Sequence, residues 1–201
     1  AGPTSVYHHD GMPPIRSGSL RPFAATQLND GTIVQAEYAA KFPIYSFSSG
    51  STNSMRGAAF LSALDHAIVV DVGGTTTDVG CLRRGFPREA NNVVSVGGVR
   101  TNFRMPDVLS IGLGGGSVVH DSPLSVGPLS VGYELVQQAR IFGGNELTAT
   151  DIAVASGRVS LGKSSSVDSL DQNFVAGAME FCGTLIAESV DRMKPDSSDI
   201  P

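Results

Sequence analysis

The sequence has little of what marks several classes of protein. It contains no tryptophan, 6% aromatic residues and two cysteines among 201 residues. Because Cys81 and Cys182 each lie in an apolar stretch, they indicate buried thiols in a reduced, intracellular protein. No apolar run approaches the roughly 20 residues of a membrane-spanning helix, and no basic start with an apolar core indicates a secretory signal. We therefore expect a cytoplasmic protein without a membrane segment.

Basic residues are also scarce. Lys and Arg number 14 against 19 Asp and Glu, which gives a formal net charge of −5 and a pI near 5.2. This balance argues against a nucleic-acid-binding surface. The hydrophobic content of 41% is enough for the core of one domain or one large lobe. The 24 glycines cluster at the ends of apolar runs, which is typical of turns in an α/β protein.

Composition divides the chain into three parts. Residues 1–21 carry prolines, glycines and serines without a sustained apolar period, so we predict a flexible leader or a truncated edge. Residues 22–195 are expected to form the folded unit. Residues 196–201 are polar and predict a disordered tail.

Within the folded unit, apolar periodicity and turn residues predict a mixed order of strands and helices. Predicted strands lie at 23–28, 44–47, 68–70, 78–82, 93–96, 100–105, 108–111 and 117–119, with a polar turn at 48–54. Predicted short helices lie at 33–41, 55–64, 135–141 and 152–156, the last with Thr148 and Asp151 as its capping pair. The longest helix is predicted at 170–194, with Ser169 and Gln172 as its capping pair. Its apolar residues recur at i, i+3 and i+4 and predict one stripe that packs in the core.

The clearest candidate site is residues 68–79, which read IVVDVGGTTTDV. Glycines let the backbone curl so that consecutive N–H groups converge on an anion, and threonines add donors. Asp71 and Asp78 flank this turn as candidate Mg²⁺ ligands, and Asp71 is also the candidate catalytic residue. The candidate nucleotide-binding residues are Gly73, Gly74, Thr75 and Thr76. No lysine follows the glycines, which excludes the G-x-x-x-x-G-K-[ST] loop. An ordinary Gly-Gly hairpin is the alternative.

A second glycine-rich loop follows at residues 112–117, GLGGGS. Glycines there allow close approach of the backbone to a ligand, although such a run also occurs wherever a loop needs positive φ. Its candidate nucleotide-binding residues are Gly114, Gly115, Gly116 and Ser117.

An ordered series of motifs resembles the hydantoinase A/oxoprolinase family of actin-like ATPases. Residues 68–79 resemble the second phosphate loop of those ATPases, and residues 110–117 resemble the family's T-I-G-A-G-G-G-S loop. Further resemblances are 27–32 to TQNDGT, 49–54 to a Ser-Gly-Pro turn, 126–128 to VGP and 148–151 to TVTD. The series covers roughly 24–158. Two positions depart from it: Ser51 replaces a proline, and Leu109 stands where the family has a histidine two residues after the aspartate, here Asp107.

The resemblance implies one lobe of an actin-like (ribonuclease H-like) ATPase fold, an α/β fold with a mixed sheet, antiparallel hairpins and flanking helices. It implies the C-terminal half of an oligomeric enzyme that uses ATP and Mg²⁺ to open a small cyclic amide such as hydantoin or 5-oxoproline. The missing partner would be an N-terminal lobe or a second subunit, without which the chain is expected to be inactive. The alternatives are a degenerate nucleotide-binding or interaction module and a small-molecule kinase lobe.

Overall fold

The computed structural model describes residues 25–90, 95–96, 99–100 and 105–194. The predicted leader and tail lie outside the described residues, as do parts of the strands predicted at 93–96 and 100–105. The strands are β1 Ala25–Gln27, β2 Ile33–Gln35, β3 Ala67–Val72, β4 Thr77–Arg83, β5 Phe86–Pro87, β6 Ser95–Val96, β7 Val99–Arg100, β8 Val108–Ile111, β9 Ser117–Asp121 and β10 Leu124–Ser130. The α-helices are α1 Ala36–Lys41, α2 Ser49–Ser62, α3 Leu135–Gln138, α4 Ala149–Ala155 and α5 Gln172–Met193. Among the described helices, none is long and apolar enough to cross a membrane.

The central sheet is built around β4. Its first edge pairs with β3 along the whole hairpin, and its second edge pairs with β8 near the turn and with β5 further on. The ladders between described strands are all antiparallel, as the predicted hairpins require. In this register Asp71 lies opposite Asp78, and Asp78 lies opposite Ser110. The three residues therefore form one row on one face of the sheet.

Helix α2 covers the face that carries this row. Met55 and Ala59 of the helix pack on Leu82 of β4, with Val69 of β3 at the margin of the cluster. A Cβ at Gly80 would lie 2.6 Å from the Met55 sulfur, so the absence of a side chain there lets the helix approach β4 closely. Packing on this face thus holds the start of α2 beside the β3–β4 hairpin.

Helix α5 lies on the opposite face, where it contacts β3, β4 and β8. The main core cluster joins it to β9, β10 and α4 through buried side chains: Leu113, Val119, Val126, Leu147, Ile152, Val175 and Ala178. The apolar stripe predicted on this helix is confirmed, but its predicted cap is wrong. Asp171 is the N-cap, and its Oδ1 accepts hydrogen bonds from the N–H groups of Asn173 and Phe174, each at 2.9 Å. The Asp171 side chain caps the helix in place of Ser169 because Asp171 directly precedes the first helical turn.

Other predicted elements differ from the structure near the N-terminus of the described chain. Residues 33–41 divide into β2, which pairs with β1, and the short helix α1. The strand predicted at 44–47 is wrong: Pro43–Ser46 form a 3₁₀ helix, because proline suits a first helical position and none of the described strands pairs with the segment. The polar turn predicted at 48–54 is also wrong. Ser48 adopts a left-handed conformation with φ of 62°, and α2 begins directly after it.

Two predictions concerning later helices have different outcomes. The helix predicted at 135–141 stops at Gln138, because Ala139 is extended, and a 3₁₀ turn follows at Arg140–Phe142. The cap predicted for α4 is confirmed as a capping box between Thr148 and Asp151. Asp151 is fully buried and accepts hydrogen bonds from three donors, the Ile141 N–H and both the N–H and hydroxyl of Thr148.

Candidate functional site

The turn between β3 and β4 divides its hydrogen-bonding groups between two sides. The Gly73 N–H donates to the Thr76 carbonyl at 2.9 Å and closes the hairpin. The carbonyls of Gly73 and Gly74 accept from the second glycine loop, from the N–H groups of residues 115 and 116, at 3.0 and 2.7 Å. The N–H groups of Gly74, Thr75 and Thr76 make no hydrogen bond to any described residue. The turn therefore presents unbonded donors at its exposed tip.

The space around the two glycine loops also differs between their contact with each other and the exposed tip of the hairpin. A Cβ added at Gly114 would lie 2.7 Å from the Gly74 carbonyl carbon and the Thr75 nitrogen, so the hairpin fills that position. A Cβ added at Gly74 would meet nothing within 4 Å, and the backbone of Gly74 is outside the left-handed region. Neither a neighbouring atom nor its backbone conformation requires glycine at Gly74. A ligand that approaches the exposed amides would provide the missing reason.

The second glycine loop supports the hairpin through its own main chain. Gly115 and Gly116 use their N–H groups on the hairpin, and the Gly115 carbonyl accepts from both the N–H and the hydroxyl of Thr150, at 2.9 and 2.8 Å. The Gly114 N–H donates to the buried hydroxyl oxygen of Ser117 at 2.8 Å, and the Ser117 N–H returns a bond to the Gly114 carbonyl. The backbone N–H donors of these four residues are occupied within the protein, and their contact with a nucleotide stays a prediction.

The threonines of the turn differ in environment. Thr77 is fully buried, and its hydroxyl donates to the Leu113 carbonyl at 2.6 Å, which ties β4 to the second glycine loop. Thr75 and Thr76 are exposed, and their hydroxyls make no hydrogen bond to described residues. Only these two hydroxyls of the three are therefore open to a ligand.

The two carboxylates of the site also have different partners. Asp78 accepts a hydrogen bond from the Ser51 hydroxyl at Oδ2 and from the Ser110 hydroxyl at Oδ1, each at 2.5 Å. Asp71 is half-buried and forms no hydrogen bond or ion pair with a described residue. The structure thus brings Asp71 and Asp78 together on one face, at the end of β3 beside the exposed amides, and leaves Asp71 available.

A protein-only metal cage is not present in the described part of the chain, where no group of three or more His, Cys, Asp or Glu residues has metal-binding geometry. Mg²⁺ is usually held by one or two carboxylates together with substrate phosphates and water. Asp71, whose carboxylate has no partner among the described residues, lies next to the unbonded N–H groups and therefore fits a Mg²⁺ ion that arrives with a nucleotide. A role of Asp78 as a second ligand stays a prediction.

Four residues outside the predicted site set lie in the strands, helices and loops around it. Leu109, at the position of the missing histidine, pairs with Val79 of β4 and so lies on the face opposite the carboxylate row. Ser51, Ser110 and Thr150 contact the site residues, and sequence reasoning assigned none of them a role there. Ser51 did carry a signal, because the motif at 49–54 placed it in a family turn, but its partner lies 27 residues away.

Comparison with known proteins finds similarity to one family and to two solved structures. A family model described as hydantoinase/oxoprolinase matches residues 22–193. A nucleotide-free acetone carboxylase, from a study of ATP-dependent acetone carboxylation, has a TM-score of 0.66 and 19% identity over 84% of this chain and 27% of that one. The ATP-dependent caprolactamase from Pseudomonas jessenii has a TM-score of 0.53 and 21% identity over 73% of this chain and 25% of that one. Curated proteins gave no match.

These likenesses confirm the fold expected from the motifs, an α/β lobe of the actin-like type with antiparallel sheets and flanking helices. The chain spans about a quarter of the length of each of the two solved structures. The boundaries predicted for the folded unit and the roles of the individual site residues stay predictions.

Proposed function

This chain belongs to the hydantoinase/oxoprolinase family, and on that premise we propose that it supplies one nucleotide-binding lobe of an enzyme that uses ATP to open a cyclic amide. The observation that carries the proposal is the exposed tip of the β3–β4 hairpin. There, three consecutive N–H groups are unbonded within the described chain because the adjacent carbonyls face the second glycine loop. Such a curl of donors is suited to phosphate oxygens.

The residues of the hairpin would divide the work as follows. The N–H groups of Gly74, Thr75 and Thr76 would bind phosphate oxygens, with the two exposed threonine hydroxyls as further donors. Asp71 would hold Mg²⁺ or orient water at the phosphates, since its carboxylate has no protein partner among the described residues. When bound, ATP would supply a phosphoryl group that activates the amide oxygen and makes its carbonyl open to water. The contribution of the protein is positioning and electrostatic stabilisation.

The substrate class rests on the family and on one relative. A caprolactamase by its name acts on a lactam, which is a cyclic amide, and it is ATP-dependent. We therefore propose a small cyclic amide of the hydantoin or 5-oxoproline type. Because the chain spans about a quarter of its solved relatives, we propose that a second lobe, on the same polypeptide or a partner subunit, completes the ATP site in a cytoplasmic oligomer. The isolated chain should then have negligible turnover.

Calorimetric titration of the chain with Mg·ATP tests the nucleotide site. We expect saturable heat and a rise in the unfolding temperature for the wild type, and loss of both Mg²⁺ dependence and most affinity in Asp71→Asn. Ser54→Ala is the matched control, because its hydroxyl makes no hydrogen bond to described residues. Absence of heat and of any thermal shift would remove the nucleotide role.

Phosphate release by the chain together with a completing lobe tests the reaction. ATP cleavage should depend on hydantoin, 5-oxoproline or a related lactam, and the ring-opened product should form in proportion to phosphate. Phosphorylation of an alcohol in place of ring opening would instead support the kinase alternative.

A further inference from the structure

Two serine hydroxyls bind the carboxylate of Asp78 on the α2 face, and the proposed ATP role does not use these contacts. We propose that Ser51 and Ser110 are positioning residues that hold Asp78 away from the cation, so that Asp71 is the only side chain of the row on this face in direct contact with it. The inference rests on the proposed role of Asp71 as a cation ligand. It differs from the sequence prediction, which named both Asp71 and Asp78 as candidate Mg²⁺ ligands.

The positions of the donors define the direction in which Asp78 is held. Asp78 lies in the middle strand of three, with Asp71 on β3 at one side and Ser110 on β8 at the other. The Ser110 hydroxyl binds Oδ1 from the β8 side, and the Ser51 hydroxyl binds Oδ2 from α2, which covers this face. Both carboxylate oxygens thus have a partner, and neither partner belongs to β3, the strand that carries Asp71.

Electrostatics explain why such an arrangement is stable. Residues directly opposite each other in an antiparallel pair have Cβ atoms roughly 4.5–5.5 Å apart, and like charges there repel. Hydroxyl bonds to an ionised carboxylate are stronger than bonds between neutral groups. Ser51 lies in the first turn of α2, a helix of 14 residues whose N-terminal end carries partial positive charge. The charge of Asp78 is therefore stabilised by α2 and β8, whereas the charge of Asp71 is left for a cation.

The Ser51 contact depends on a departure from the family pattern. A proline at this position, as the family pattern has, carries no hydroxyl and cannot donate to Asp78. Ser51 is the third residue of α2, in the first turn, where proline is tolerated because that N–H has no partner within the helix. Ser51→Pro therefore offers a variant that removes the hydroxyl and is compatible with the helix.

The test measures Mn²⁺ binding to the whole chain by electron paramagnetic resonance, without nucleotide. In Ser51→Ala/Ser110→Ala, Asp78 loses both donors and is free to turn toward Asp71, so two carboxylates share one ion. We expect Mn²⁺ affinity to rise about tenfold, because affinity follows the number of charged ligands. Adding Asp78→Asn should cancel the gain. Ser51→Thr/Ser110→Thr, which keeps both hydroxyls, should bind as the wild type does, and so should Ser54→Ala.

The sign of the change separates positioning from simple structural support. A variant that merely loosens the site would bind Mn²⁺ less tightly, so unchanged or weaker binding in the folded double variant overturns the inference. If the double variant does not fold, Ser51→Pro and Ser110→Ala decide singly: a gain supports the inference, and no gain in either overturns it. A gain in these variants supports the inference even where the wild type fails to bind Mg·ATP, which would refute only the proposed function.

Discussion

Substitution of Gly74 by alanine gives a sharp test of the anion site, because the fold itself has no need of glycine there. The added Cβ would meet nothing within 4 Å, and the backbone is outside the left-handed region. Under these conditions Gly→Ala is neutral or stabilises the folded state by about 0.4–1 kcal/mol, since it restricts the unfolded chain. We expect the unfolding temperature of Gly74→Ala to equal or slightly exceed that of the wild type.

Binding should respond in the opposite direction. The new methyl group would lie in the open space beside the unbonded N–H groups, where phosphate oxygens would approach. Loss of one hydrogen bond to a charged group costs about 1.5–3 kcal/mol. Since about 1.4 kcal/mol is tenfold in affinity, we expect Mg·ATP affinity to fall by about tenfold to a hundredfold.

The measurement pairs calorimetry with thermal unfolding, and Gly114→Ala is the matched control. Its Cβ would lie 2.7 Å from backbone atoms of Gly74 and Thr75, so the hairpin must move and the fold should lose about 1–3 kcal/mol. The two glycines therefore separate a ligand requirement from a packing requirement. If Gly74→Ala keeps wild-type affinity, or if it loses stability as Gly114→Ala does, the reasoning from open space is refuted.

Three further predictions concern the framework of the site. Asp151→Asn removes one acceptor oxygen from a fully buried group that serves three donors, so urea unfolding should show a loss of about 2 kcal/mol or more. Gly127→Ala should lower the unfolding temperature markedly, because φ is +70° and the added Cβ would lie 2.2 Å from the Gly112 carbonyl oxygen. Its control is Gly183→Ala in α5, where the added Cβ would meet no atom within 4 Å and should raise the unfolding temperature slightly. Burial raises the pKa of Cys182 above its ordinary value of 9.0, so the unfolded thiol ionises first. The unfolding free energy should therefore hold below about pH 9 and fall as pH rises further, and the fall should be shallower in Cys182→Ala.

Elements whose cause is local were predictable from the sequence. The β3–β4 hairpin follows from two apolar runs around a glycine turn, and the capping box of α4 needs only Thr148 and Asp151, three residues apart. Long-range information decides the strand that was wrongly predicted at residues 44–47. Three of residues 44–47 are apolar or aromatic, as in a strand, but a strand requires a partner. None of the described strands pairs with this segment, and local 3₁₀ bonds form in its place.

In the candidate site, too, the local features were predictable and the long-range contacts were not. The sequence indicated Asp71 and the glycines because residue type and spacing within one turn carry the chemistry. It did not indicate the two hydroxyl donors to Asp78 or the Thr150 hydroxyl that donates to the Gly115 carbonyl, because those partners lie 27, 32 and 35 residues away. The motifs contain Ser51, Ser110 and Thr150, but serine and threonine occur on most surfaces, so only tertiary packing shows which partners these three hydroxyls have.

The second glycine loop supports the first through hydrogen bonds between their main chains. The second loop donates from Gly115 and Gly116 to the carbonyls of Gly73 and Gly74, and this pairing leaves the amides at the tip of the hairpin unbonded. Carbonyl oxygens left at that tip would repel an anion, whereas carbonyls bound by the second loop do not face it. A glycine-rich motif can therefore be necessary for phosphate binding without touching phosphate. Substitution of Gly115 or Gly116 should therefore abolish nucleotide binding by the first loop, even if every atom in contact with the nucleotide is unchanged.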